Sequence, residues 1–203
     1  MTSLLFIAAL VAADPQIFYS KSFPNSSPAY VEIHLSRDGS VVYKEKPDDD
    51  QPVDLRLNKE EADQIFSLAE KLNRFQSPLE SGLPVAKMGE KTYRWIEDGK
   101  TNEQVYNYST DENCRLIQEW FEKITESQLH LFALERTVRF DKLGVNRTLL
   151  QLEASWDKKR LIAVSQFEPW LNRIIKNQSF LNMDRERAAK LLETFKNTSS
   201  NKP

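Results

Sequence analysis

Cysteine is nearly absent. Cys114 stands alone among 203 residues, which excludes an intramolecular disulfide and a zinc cage built from several thiolates. Stability therefore has to come from packing. Histidine is almost as scarce, with only His34 and His130, so no His-x-x-x-His pair can be written and any Ser-His-Asp constellation must use one of these two. The glycines Gly39, Gly82, Gly89, Gly99 and Gly144 are too dispersed for a dinucleotide fingerprint or a phosphate-cradling loop, and no cofactor is expected. Long apolar runs are missing too: the longest spans residues 4–13, far short of the roughly 18 a membrane helix needs. Nor is there an excess of one charge. Against 30 Asp and Glu stand 28 Lys and Arg, a net charge of -2, which implies neither nucleic acid nor a membrane surface as partner.

What is present is a core-forming chain, 40% hydrophobic, that carries an export pattern at its start. Residues 4–13 are apolar, Val11 and Ala13 suit the positions before a signal-peptidase cut, and Asp14-Pro15 ends the run. Residues 1–13 are thus expected to be a signal peptide and the mature chain to be periplasmic or extracellular, although no Lys or Arg precedes Lys21. Residues 14–29, with three prolines and several serines, predict an extended lead-in. Charge separates along the chain. Residues 1–124 hold 14 basic and 21 acidic residues, net -7, whereas 125–203 hold 14 and 9, net +5. Docking of the two halves, or an anionic ligand on the second, would use that difference.

Alternation over residues 30–35, then Asp38-Gly39, then a β-rich run to Lys44 predicts a hairpin, with Leu35 facing Val42 and His34 facing Tyr43 in a two-residue turn. Asn58 and Glu61 open a helix using Ala62, Ile65, Phe66, Ala69 and Leu72. Pro78 and Pro84 break the chain. A second hairpin forms around Asp98-Gly99, setting Arg94 opposite Glu103 and Glu97 opposite Lys100. Asp111 caps a helix presenting Cys114, Ile117, Trp120, Phe121 and Ile124. From Thr125 the pattern is helical: one helix opened by Thr125 and Gln128, using Leu129, Phe132, Arg136 and Phe140 and stopped by Gly144, then three more around Leu149, Leu171 and Leu191. The expectation is an α+β protein. An antiparallel sheet from two β-hairpins with two helices, ββαββα, occupies residues 30–124, an all-helical region 125–196, and a loose tail 197–203.

Chemistry is thinly marked. His34 lies beside Glu32 in a strand and His130 early in a helix; a hydrolase would need one of them. Cys114 falls on an apolar face, the setting of a core thiol. Asp48, Asp49 and Asp50 fail the calcium-loop template because Asp54 stands where its glycine belongs, and no metal site is expected. Tyr93, Trp95, Tyr106 and Tyr108 gather on the second hairpin, where an exposed aromatic platform would grip a peptide or sugar and a buried one would be core. Lys158, Lys159, Arg160, Arg185 and Arg187 are candidate anion contacts.

The segment Tyr30-Val31-Glu32-Ile33-His34-Leu35-Ser36-Arg37-Asp38-Gly39-Ser40-Val41-Val42-Tyr43, followed by a capped helix and a second hairpin, resembles an uncharacterised domain of exported bacterial proteins and lipoproteins. The likeness covers about half the chain and rests on Asp38, Gly39, Val41 or Val42, and Tyr43. Arg139-Phe140-Asp141-Lys142-Leu143-Gly144 likewise looks like a helix end of such proteins. The resemblance implies export and fold; the lipoprotein cysteine is missing, so no lipid anchor follows. The functional expectation is a non-catalytic exported binding module with a protein or peptide partner. Its alternatives are a peptide binder or enzyme inhibitor using a sheet edge or the aromatic hairpin, a hydrolase using His34 or His130, and anionic-ligand binding by the basic helical half.

Overall fold

The computed structural model describes residues 14–200, with side chains through 197; the expected signal peptide lies outside them. Six strands form one antiparallel sheet: β1 (Gln16–Ser22), β2 (Tyr30–Ser36), β3 (Ser40–Lys44), β4 (Val53–Arg56), β5 (Glu90–Glu97) and β6 (Lys100–Tyr106), in the order β4-β3-β2-β1-β5-β6. Five helices complete the chain: α1 (Lys59–Lys71), α2 (Glu112–Phe140), α3 (Val145–Asp157), α4 (Glu168–Lys176) and α5 (Asn182–Ser200). The chain divides into two compact units, the described part of Met1–Pro52 with Lys59–Cys114, and Val53–Asn58 with the described part of Arg115–Pro203.

The plan is α+β with a helical second half, but four strands precede the first helix, so ββαββα is corrected at two places. The expected lead-in contains β1, the strand that joins the two hairpins by pairing with β2 and β5. Two of its three prolines, Pro15 and Pro24, bracket the strand without interrupting a ladder. Ile17 and Tyr19 point inward and are buried, while Phe18 lies on the opposite face, covered by the Arg94 guanidinium 4.3 Å from its ring centroid and by His34 edge-on at 5.1 Å. The second omission is β4, four residues whose apolar members, Val53 and Leu55, are only half-buried.

The first hairpin is shifted by one residue from the expected register. Leu35 pairs with Val41 and His34 with Val42, because the connection has three residues and ends in Gly39 at φ 87, with the Gly39 N–H donating to Ser36 O at 3.0 Å. The slip puts Leu35, Val41 and Tyr43 together in the core. The second hairpin has the expected register, with Arg94 opposite Glu103 and Glu97 opposite Lys100. Its two-residue turn holds Asp98 at φ 49 and Gly99 at φ 72.

On the inner face, Phe66 of α1 meets Trp95 edge-on at 5.7 Å, and Phe75 stacks on Tyr93 at 4.9 Å. Phe75 ends a left-handed turn in which Asn73, Arg74 and Phe75 have φ of 53, 52 and 58. Such a conformation costs roughly 1–2 kcal/mol per non-glycine residue. It is offset by complete burial of Phe75, by the Arg74–Glu97 ion pair at 3.1 Å, and by Asn102 Nδ2 donating to Arg74 O at 3.0 Å.

In the second unit α2 runs unbroken through the position where Thr125 was expected to start a new helix. Thr125 Oγ1 donates back to Phe121 O at 3.0 Å, the bond of a mid-helix threonine rather than a cap. The buried face also differs: Leu129 and Phe140 are exposed, while Ser127, Gln128, Leu134 and Val138 are buried. Gly144 has φ -76 and leads into α3 instead of forming a left-handed stop; Asp141 Oδ1 accepts its N–H, and a side chain there would meet Asp141. The core of this unit gathers Leu149, Leu152, Phe167, Leu171, Ile174, Ala188, Leu191 and Phe195. The expected loose tail is helical through Ser200.

Candidate interaction site

The aromatic hairpin is core. Tyr93, Trp95 and Tyr106 are 0%, 2% and 3% exposed and Tyr108 is half-buried, so they offer no platform to a partner. Tyr106 Oη donates to Tyr93 Oη at 3.3 Å. Cys114 lies beside them with its thiol pushed up first by burial, the state of an inert thiol. The proposed anion contacts are also divided. Arg160 pairs with Glu126 at 2.8 Å and Glu122 at 3.7 Å, Arg187 with Glu153, and Arg185 donates to Asn182 Oδ1 at 2.8 Å. Only Lys158 and Lys159 remain exposed.

His34 belongs to a polar network on the outer sheet face. Glu32, buried to 8% exposure, accepts from Tyr30 Oη at 2.6 Å, Lys44 Nζ at 2.9 Å and His34 Nε2 at 2.8 Å. Burial would raise the Glu32 carboxyl, but these three hydrogen bonds outweigh it and hold it at about 2. Glu32 is therefore a weak base that orients His34, and among the described residues no serine, threonine or cysteine side chain bonds to the imidazole. Around His130 the order of a catalytic triad is inverted. Ser155 Oγ donates to Glu126 Oε1 at 3.0 Å and stands 2.9 Å from His130 Nε2, so the histidine donates to the serine instead of taking its proton. Burial holds the His130 imidazole below its usual range, favouring that neutral donor.

The most elaborately supported exposed backbone is the segment between the left-handed turn and β5. Residues 82–88 are all exposed, carry no regular structure, and include Leu83, Val85 and Met88 at 51%, 39% and 51% exposure. An apolar loop of this length would ordinarily turn inward or move. Here it is tied at its start, middle and end to the last residues of β6 and those just beyond. At the start Ser81 N–H donates to Tyr108 O at 2.8 Å, and Glu80 accepts from the N–H of Asn107 at 2.6 Å and of Gly82 at 3.3 Å. The Asn107 bond is the main reason the Glu80 carboxyl sits below its ordinary range. In the middle the Asn107 side chain spans Lys87: Nδ2 donates to Ala86 O at 3.1 Å and Oδ1 accepts from Met88 N at 2.7 Å. At the end buried Lys91 donates to Gly89 O at 3.1 Å and to Asn107 O at 2.7 Å. Gly89, at φ 92, packs its backbone on Phe23, where an added Cβ would come within 3.0 Å.

Next to this loop β6 is, among the described residues, an edge strand of the sheet. In a two-residue hairpin the pair flanking the turn is hydrogen-bonded, so alternate residues of β6 bond to β5 and Thr101, Glu103 and Val105 turn their N–H and C=O groups outward. Among the described residues those groups have no partner, and Val105 is 47% exposed. Glu103 is held by Arg94.

Sequence reasoning missed Glu80, Lys91 and Asn107. Asn107 is visible only as the start of an Asn-x-Ser triplet, and Pro78 and Pro84 read as a break. The usable signal is Gly82 and Gly89 bracketing Leu83-Pro84-Val85-Ala86-Lys87-Met88, apolar residues around one lysine with neither helical nor strand period. No protein-family model matches the chain, and no curated protein is significantly similar to it.

Proposed function

We propose that this chain is an exported, non-catalytic binding module that recognises a protein partner through exposed backbone, chiefly loop 82–88 together with the β6 edge. The observation that carries the reading is the Asn107 side chain bonded to Ala86 O and Met88 N, which fixes an exposed apolar loop in one conformation. Loop backbone that is tied before binding lowers the ordering cost that association would otherwise carry. Exposed strand edges recruit extended segments by main-chain hydrogen bonds, with side-chain neighbours supplying selectivity. The histidines support the same reading, since among the described residues neither has a nucleophile arranged to lose a proton to it. Export remains part of the proposal, resting on residues 4–13.

Retention of host proteins from culture fluid tests it, using the wild-type chain, a chain whose residues 82–88 are replaced by alternating Gly and Ser, and Val105→Lys. Loop replacement is expected to reduce retention of a discrete partner at least tenfold with Tm little changed. Equal retention by both chains would refute the proposal. Val105→Lys reports separately on the edge.

A further inference from the structure

We infer that loop 82–88 is a substrate-like bait for a serine endopeptidase that cleaves after basic residues, with Lys87 entering the enzyme's acidic specificity pocket. This rests on the binding reading above and names the partner by its chemistry.

Endopeptidases bind their targets as extended backbone, and a pocket with a carboxylate at its base selects the residue before the cut. Loop 82–88 offers backbone that is exposed throughout and outside any helix or strand, and Lys87 stands near its end with an ammonium that has no partner among the described residues. The neighbours leave access. Ala86 before it is small, and Met88 after it is 51% exposed. The Val85 N–H, held to Leu83 O at 2.8 Å in a turn around Pro84, and the Leu83 N–H, held by Ser81 Oγ at 3.2 Å, exchange partners on docking, while the Asn107 bonds to Ala86 O and Met88 N are kept.

The decisive feature is where the scaffold holds the loop. Asn107 bonds the residue before Lys87 and the residue after it, so the Lys87–Met88 peptide bond is bridged by one side chain. If the enzyme's serine attacks the Lys87 carbonyl, the bond to the Met88 nitrogen breaks and that nitrogen takes the proton relayed from the serine. Water then releases the Lys87 carboxylate, one water being consumed overall. Both new ends remain anchored, Ala86 O and the Met88 nitrogen by Asn107 and Gly89 O by Lys91. A leaving amine that cannot diffuse away re-forms the bond, so the chain acts as a slowly cut inhibitor rather than as a substrate. Protease–inhibitor pairs are the interfaces in which such pre-organised backbone gives the tightest association.

The test uses the full chain, trypsin as probe and a small chromogenic arginine substrate, with chymotrypsin as the contrasting enzyme. Wild type is expected to suppress trypsin turnover at stoichiometric concentration and to leave chymotrypsin unaffected. Lys87→Leu should reverse that preference. Asn107→Ala should be cut at the Lys87–Met88 bond at least tenfold faster than wild type, while circular dichroism and Tm establish that the variant is folded. Rapid cleavage of wild type at that bond without inhibition would overturn the inference, as would no effect on trypsin at all. If trypsin is unaffected while loop replacement still abolishes partner retention, the protease assignment falls and the binding-module reading stands.

Discussion

Glu32 illustrates how much a single carboxylate can carry when the sheet places three donors around it. Its folded value of about 2 lies below the ordinary 4.5. The stability it contributes is therefore fully present above pH 4.5 and lost as pH falls toward 2. Because the group is nearly buried, that contribution is on the order of 3 kcal/mol. Glu32→Gln should lower the urea midpoint at pH 7 and flatten the fall in stability between about pH 4.5 and 2, measured by urea titration across that range. An unchanged acid limb would mean the network is replaced by solvent at no loss. Cys114 gives the opposite kind of residue-scale prediction. Burial raises its thiol, so alkylation at pH 8 should be at least a hundredfold slower in the folded chain than in urea.

At the scale of elements, the left-handed turn is held by the aromatic that ends it. Phe75→Ala removes a fully buried ring stacked on Tyr93 and should destabilise the fold by about 3–5 kcal/mol, read from chemical unfolding. Gly89→Ala is a smaller intervention at the end of the bait loop. Its positive φ and the nearby Phe23 predict a loss of about 1–2 kcal/mol and faster amide exchange at Met88. The elements most legible in sequence were those with local chemistry of their own: the Asn58-led start of α1, the Asp111 cap of α2, whose Oδ1 accepts from Asn113 N and Cys114 N at 2.7 and 3.1 Å, and the Asp98-Gly99 hairpin. Those that were not legible depend on distant partners. β1 is a strand because two other strands pair with it, and the continuity of α2 through Thr125 depends on no local breaker intervening. The loop was hardest of all, since Glu80, Lys91 and Asn107 come from three separate stretches and none is distinctive without the others.

For the whole molecule, the separation of charge between the chain's halves does not amount to a free basic cluster, because Arg160 and Arg187 are taken up by Glu126 and Glu153 within the helical unit. No described helix is long and apolar enough to cross a membrane. In the proposed reading, recognition lies on loop 82–88 and the β6 edge of the sheet unit, while in the helical unit Arg160 and Arg187 are paired and Lys158 and Lys159 stay exposed. The measurement that tests this most directly is photo-cross-linking in host culture fluid, with a photoreactive residue in place of Val85 in the loop or, as control, in place of exposed Leu150 on α3. An adduct of one discrete mass is expected from the Val85 position, none from Leu150, and loss of the adduct when Asn107→Ala is added. No adduct at Val85, or equal labelling at both positions, would contradict it.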